Sequence, residues 1–145
     1  MEVYTIGFTK RSAREFFATL KEAGIEQLVD VRIHNSSQLA GFTKAKDLEY
    51  FLEALCGAIY RHEPLLAPTP ELLSAYRKKQ IDWAEYERRF LALMAERRIQ
   101  HHLEPDYFAP RSVLLCSEPT PSRCHRRLVL EYLTERWPDL EIKHL

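Results

Sequence analysis

The sequence predicts an α/β fold: a small three-layer parallel sheet of about five strands, in the order 3-2-1-4-5. A helical hairpin is inserted between strands three and four. Three observations carry this expectation. Short apolar runs alternate with helix-period segments, the pattern of strands joined by crossover helices. The run Gln27–Arg32 places Leu28, Val29 and Val31 without clean alternation, as a sheet covered on both faces requires. Start and stop signals bracket the helical segments.

Each element has its own warrant. Val3–Ile6 is an apolar run stopped by Gly7. Ser12 with Glu15 makes a capping box, and the helix behind it runs to about Ala23, burying Phe16, Phe17 and Leu20 before Gly24 ends it. Gln27–Arg32 is the second strand, and Ile33–Thr43 is a loop. A second helix covers about Ala45–Leu55, with Leu48, Phe51, Leu52 and Leu55 on one face and Gly57 as its stop. Ala58–Glu63 is the third strand. Thr69-Pro70 is an N-cap followed by Pro at the first helical position, opening a helix to about Lys79. Asp82 and Glu85 box the next helix, with Ile81 able to staple onto Tyr86. Its stripe of Trp83, Tyr86, Phe90 and Leu93 reads as core. Ser112–Cys116 is the fourth strand, Pro121–Arg136 a helix capped by Thr120, and Glu141–Leu145 a closing strand.

The chain's 145 residues suit one domain, with the helical insertion at about residues 69–97. No run of about 18 apolar residues exists, so no membrane is expected as a partner. The first residues lack the pattern of a signal peptide. Three cysteines, an odd number, then suit a reducing, cytoplasmic setting. Net charge is zero, which argues against a dedicated double-helix binder while leaving room for a local nucleic-acid-binding patch.

The densest chemistry is Ser112-Val-Leu-Leu-Cys-Ser-Glu-Pro-Thr-Pro-Ser-Arg-Cys-His-Arg126. Cys116 and Glu118 sit at a strand end, and Arg123, Cys124, His125 and Arg126 at the start of the helix that follows. Open α/β sheets bind ligands at such handovers. The expected strand order puts three ends side by side: Gly7-Phe8-Thr9, Asp30-Val-Arg32 and Cys116-Ser-Glu118. Cys124 and His125 lie one turn before Leu128 and Val129, so both should face the sheet. The positive helix start should lower the Cys124 thiol pKa and disfavour protonation of His125.

Each residue also has a plain structural reading. Arg123, Arg126 and Arg127 oppose the helix dipole, and their anionic partner is either Glu118 or Asp30 or a bound phosphate or carboxylate. Asp30 and Arg32 share a face, and form either an internal ion pair or a clamp in which Arg32 holds a ligand while Asp30 orients it or acts as a base. Cys116 is a small core residue or a nucleophile. Glu118, just past the strand, suits general acid–base work, and His125 is a base, a ligand or a cap on the core. His62 could reach the rim. Three sharper patterns fail. Cys116 and Arg123 have six intervening residues where a thiol phosphatase loop has five. No close cysteine pairs mark a structural zinc site, and Cys-x-x-Cys redox spacing is absent, although a mixed metal site of Cys116, Glu118, Cys124 and His125 is geometrically open.

Thr5-Ile-Gly-Phe-Thr9, Leu28-Val-Asp-Val-Arg32, Gly41-Phe-Thr-Lys44 and Leu115-Cys-Ser-Glu118…Cys124-His-Arg-Arg127 together resemble the domain-of-unknown-function 488 family, in order over nearly the whole chain. Leu66-Ala-Pro-Thr69…Leu73…Tyr76…Ile81-Asp-Trp83…Tyr86 is similar to one branch of it. The resemblance implies a small cytoplasmic α/β domain with signature residues Gly7, Asp30, Arg32, Cys116, Glu118, Cys124, His125 and Arg126, and it supplies no substrate. Where family members carry Pro and further Arg after Asp-x-Arg, this chain reads Ile33-His-Asn-Ser-Ser-Gln38, with fewer charges to hold an anion.

The leading expectation is an enzyme, or the relic of one, for a small anionic or nucleotide-like substrate. Arg32 and Arg126 would bind the anion near Gly7, Phe8 and Thr9. Glu118 or His125 would move a proton, and Cys116 or Cys124 would be the nucleophile, with Asp30 in support. The alternatives are a nucleic-acid or protein binding module without turnover, and a metal protein. The sequence fixes neither a cofactor nor an oligomeric state.

Overall fold

The computed structural model describes residues 1–34, 41–116 and 123–145. Five strands, β1 (Glu2–Gly7), β2 (Gln27–Asp30), β3 (Ile59–His62), β4 (Ser112–Cys116) and β5 (Glu141–His144), form one sheet in which every pairing is parallel. The helices are α1 (Ala13–Glu22), α2 (Ala45–Cys56), α3 (Pro70–Arg77), α4 (Trp83–Arg97), the short α5 (Ile99–His102) and α6 (His125–Thr134). The α3–α4 pair occupies the expected insertion. No helix among the described residues is long and apolar enough to cross a membrane.

The strand order is β3-β2-β4-β1-β5, which corrects the expected 3-2-1-4-5. Strand composition explains both the success and the error. The strands β3 and β5 carry exposed charged residues and sit at the edges; β2 and β4 are buried throughout, and β1 is buried from Val3 onward. Nothing in that pattern ranks the interior strands among themselves. The ends of β1, β2 and β4 stay adjacent under either order. Gly7 pairs in register with Cys116, and Asp30 with Leu115.

Alternation along the strands feeds two cores. Tyr4, Ile6, Leu28, Val113 and Leu115 pack with Phe16, Phe17 and Leu20 of α1 and with Leu48 and Leu52 of α2. Val3, Val29, Leu114 and Cys116 pack on the other face with Phe90 and Met94 of α4 and Leu128, Val129 and Leu133 of α6. Burying a large aliphatic or aromatic side chain contributes about 1.5–3 kcal/mol. The two layers of helices are therefore held by the same strands that bring the site together.

Three helix caps make the bonds that the sequence implies. Ser12 Oγ accepts from the Glu15 N–H at 3.1 Å, Thr69 Oγ1 from the Leu72 N–H at 3.1 Å, and Asp82 Oδ1 from the Glu85 N–H at 2.8 Å. Gly57 closes α2 at φ 63°, a left-handed geometry that a Cβ disfavours. The last helix differs from expectation. It begins at His125 rather than Pro121, because Cys124 is extended (φ −138°, ψ 137°) and is itself the N-cap. Thr120, the expected cap, lies outside the described residues.

Candidate active site

Val31 follows β2 directly, and Arg32 continues past the strand end. The Asp30 carboxylate is fully buried. Its Oδ1 accepts from the Arg32 backbone N–H (3.1 Å) and Nε–H (2.8 Å), and its Oδ2 from Arg32 NH2 (2.7 Å) and the Tyr60 hydroxyl (2.7 Å). Arg32 NH2 also donates to the Thr43 carbonyl at 2.7 Å, and the guanidinium stands 5.3 Å from the Phe8 ring centroid. His62 Nε2–H donates to the Arg32 carbonyl at 2.8 Å, which fixes the backbone as well. Burial opposes the Arg32 charge, but hydrogen bonding and attraction from Asp30 outweigh it and raise its pKa. Arg32 NH1 is buried and has no hydrogen-bond partner among the described residues.

Cys116 closes β4 beside that pair. Its Sγ lies 3.6 Å from His125 Nδ1. His125 Nε2 lies 2.7 Å from the Val31 carbonyl, which can only accept, so Nε2 carries the proton and Nδ1 turns its lone pair toward the sulfur. The Phe90 ring packs at 5.4 Å from the imidazole centroid. Cys124 Sγ completes the group: the two sulfurs and a His125 ring nitrogen all lie within 4.8 Å of one another, and all three residues are buried. The helix start was expected to lower the Cys124 pKa. Burial, followed by a hydrogen bond with Cys116, instead pushes it well above its ordinary value. Burial likewise raises the Tyr86 phenol, with Cys116 and Cys124 adding to the shift.

These groups line a recess of about 120 Å³, bounded by Arg32, Cys116, Cys124 and His125 on one side and Tyr76, Trp83 and Tyr86 on the other. A shallower cleft of about 630 Å³ continues outward, sharing Tyr76, Arg77, Trp83 and Arg123 with the recess and adding Lys79. Trp83 and Tyr86 stack at 5.1 Å and 21°. Arg77, Lys79 and Arg123 are exposed.

The structure thus brings Arg32, Cys116, Cys124 and His125 to one cavity, with Asp30 directly behind Arg32. Both Asp30 oxygens are committed, so its role here is to hold the guanidinium. Gly7, Phe8 and Thr9 do not line the recess, although Phe8 floors the guanidinium. Arg126 is fully buried away from it, close enough to His144 to lower that imidazole's pKa, and Arg127 pairs with Glu131 at 2.8 Å. Glu118 lies outside the described residues. Tyr60, Thr43 and the Tyr76–Trp83–Tyr86 wall were not singled out from sequence as site residues. The signals were present: Tyr60 and His62 alternate on a strand beside β2, and Trp83 opens a helix.

Among the described residues, Cys116, Cys124 and His125 are also side chains able to hold a thiophilic metal, since S and N donors suit zinc. The arrangement supports nucleophilic chemistry equally directly, with a sulfur beside an oriented base and a cation nearby.

A family model described as a domain of unknown function, DUF488, matches residues 12–133. No curated protein and no solved structure matches the chain.

Proposed function

The chain belongs to the DUF488 family, and on that premise we propose that it is a thiol-dependent enzyme acting on a small anionic, nucleotide-like substrate. One observation carries the reading: Cys116 Sγ is 3.6 Å from the Nδ1 of a histidine whose Nε2–H is fixed on a backbone carbonyl, in a recess that Arg32 also lines. In this reading His125 takes the Cys116 proton at Nδ1, and the Val31 carbonyl stabilises the imidazolium that forms. The sulfur adds to the electrophilic centre of the substrate, and His125 returns the proton to the leaving group. Arg32 supplies the positive charge that holds the anionic group next to that centre. The outer cleft takes the rest of the substrate, with a planar ring on Trp83 and Tyr76 and further negative charge on Arg77, Lys79 and Arg123.

A second reading has its own observation, the convergence of three donor atoms within 4.8 Å. Zinc held by Cys116, Cys124 and His125 would retain one open position facing the recess. Two measurements on reduced, untagged protein separate the readings. Calorimetry should show binding of inorganic phosphate and tighter binding of a nucleoside monophosphate, and iodoacetamide should modify Cys116 in a manner that His125→Gln slows. Stoichiometric zinc with Cys116 protected from the reagent would replace the thiol reading with the metal one. Absence of anion binding would end both the substrate class and the role given to Arg32. Steep salt-dependent binding of an oligonucleotide, without turnover of any small anion, would favour a binding module.

A further inference from the structure

Cys124 is a buried nucleophile that the proposed reaction does not use. It is 3 % exposed, caps α6 without any side-chain capping bond, and holds its sulfur against that of Cys116. An alanine or valine would fill the same space as well, with no thiol to desolvate. The cysteine spacing argued against a redox pair because the familiar motif puts both thiols within one helical turn. Here a strand end and a helix cap meet in space instead, so sequence spacing carries no information about the sulfur–sulfur approach.

We propose that Cys116 and Cys124 form a reversible disulfide, with Cys116 the thiol that a hydroperoxide oxidises and Cys124 the thiol that resolves it. The inference rests on the reading of Cys116 as a reactive thiol. In the first step the Cys116 sulfur attacks the terminal oxygen of the hydroperoxide. The O–O bond breaks, the alcohol or water leaves with a proton from His125, and Cys116 becomes a sulfenic acid. In the second step Cys124 Sγ attacks the Cys116 sulfur. The S–O bond breaks, and the Cys124 proton passes through His125 to the departing hydroxide, giving water and the disulfide. Two thiols are oxidised for each peroxide reduced, and an external dithiol restores them.

Geometry supports both steps. The two sulfurs lie within 4.8 Å of one another, so closing a disulfide of about 2.05 Å asks for a shift of under 3 Å. His125 touches both residues involved, and the recess gives a peroxide-sized molecule access to Cys116. Cys56 serves as an internal control, since its sulfur donates to the Phe17 carbonyl at 3.6 Å on the opposite face of the sheet. Disulfide formation would consume the nucleophile and hold the enzyme off until it is reduced.

The test uses the full chain, reduced and then exposed to hydrogen peroxide, followed by thiol titration and mass spectrometry of non-reduced peptides. None of the three cysteines is in a disulfide at the outset. The count should fall from three thiols to one, with Cys116 and Cys124 cross-linked, and should return on reduction. In Cys124→Ser, a Cys116 sulfenic acid should accumulate and be trapped by dimedone. A wild-type protein that keeps three thiols, that accumulates the Cys116–dimedone adduct without a cross-link, or that cross-links Cys56 overturns the pairing. So does a bound metal that must be chelated before either thiol reacts. Iodoacetamide labelling of the reduced protein separates the two proposals. Labelled Cys116 without any disulfide removes only the pairing, and unlabelled Cys116 removes the thiol reading as well.

Discussion

Arg32 meets Asp30 through two parallel hydrogen bonds, Nε to Oδ1 at 2.8 Å and NH2 to Oδ2 at 2.7 Å, so a buried guanidinium is held by two of its three nitrogens. The pair is bidentate and desolvated, and neither member is stable in the interior alone. Arg32→Met should therefore destabilise the protein by about 3–5 kcal/mol, because it leaves the Asp30 carboxylate buried without its cation. Adding Asp30→Asn should recover much of that loss. Urea midpoints of the three proteins check this, and a double variant no more stable than Arg32→Met would show that Asp30 does not depend on Arg32.

Tyr60 supplies a further bond to that carboxylate, at 2.7 Å. Hydrogen bonds to charged groups are worth about 1.5–3 kcal/mol. Tyr60→Phe keeps the ring and removes the donor, so it should cost that much stability and weaken phosphate binding by loosening Arg32. Chemical denaturation together with phosphate calorimetry reads both effects. Unchanged values in both would place Tyr60 outside the network that sets Arg32.

Trp83 lines the inner recess and the outer cleft alike. A base stacked on an aromatic side chain gains roughly 1–3 kcal/mol. Trp83→Ala should weaken a nucleoside monophosphate by about fivefold to 150-fold and leave inorganic phosphate nearly unaffected. Equal losses for both ligands would mean that the wall shapes the pocket without contacting a ring.

His144 Nδ1 lies 2.5 Å from Thr5 Oγ1 at the far edge of the sheet. Burial, then the charges of Arg126 and Arg127, hold its pKa below the ordinary histidine value, with Glu131 opposing. As pH falls, the unfolded chain takes up this proton before the folded one does. The stability contributed by neutral His144 is therefore full above the unfolded pKa and declines as pH drops through it toward the lower folded value. His144→Gln should shrink the loss of stability between about pH 8 and pH 5, the interval that brackets the ordinary histidine pKa. Parallel pH profiles for the two proteins would contradict this.

Local features were legible in the sequence where the physics is local. The Ser12, Thr69 and Asp82 caps each make the hydrogen bond that their spacing implied, and β4 spans Ser112–Cys116 as its apolar run indicated. The Thr-Pro signal that opens α3 at Pro70 misled at Pro121, because the extended backbone of Cys124 delays α6 to His125. Long-range relations were harder to read. Two interior strands with the same apolar content exchange places without any change in pattern. The stripe of Trp83, Tyr86 and Phe90 looks like core and is core at Phe90, yet its first turn also walls the site. Cys116, Cys124, His125 and Arg32 were recognisable because reactive and charged residue types crowd the ends of two strands and the start of the last helix. Tyr60 carried only the weak signal of alternating with His62, and Thr43 carried none, since it takes part through a backbone carbonyl.

The proposed function needs a reactive Cys116 whose recess carries the positive charge of Arg32. The most direct measurement compares the rates at which Cys116 is alkylated by iodoacetate and by iodoacetamide, in the wild type and in the Asp30→Asn/Arg32→Met variant. The account predicts that the wild-type thiol reacts faster with the anionic reagent, and that the variant loses this preference while still reacting with the neutral one. A wild-type preference for iodoacetamide, or the same preference in both proteins, would contradict it.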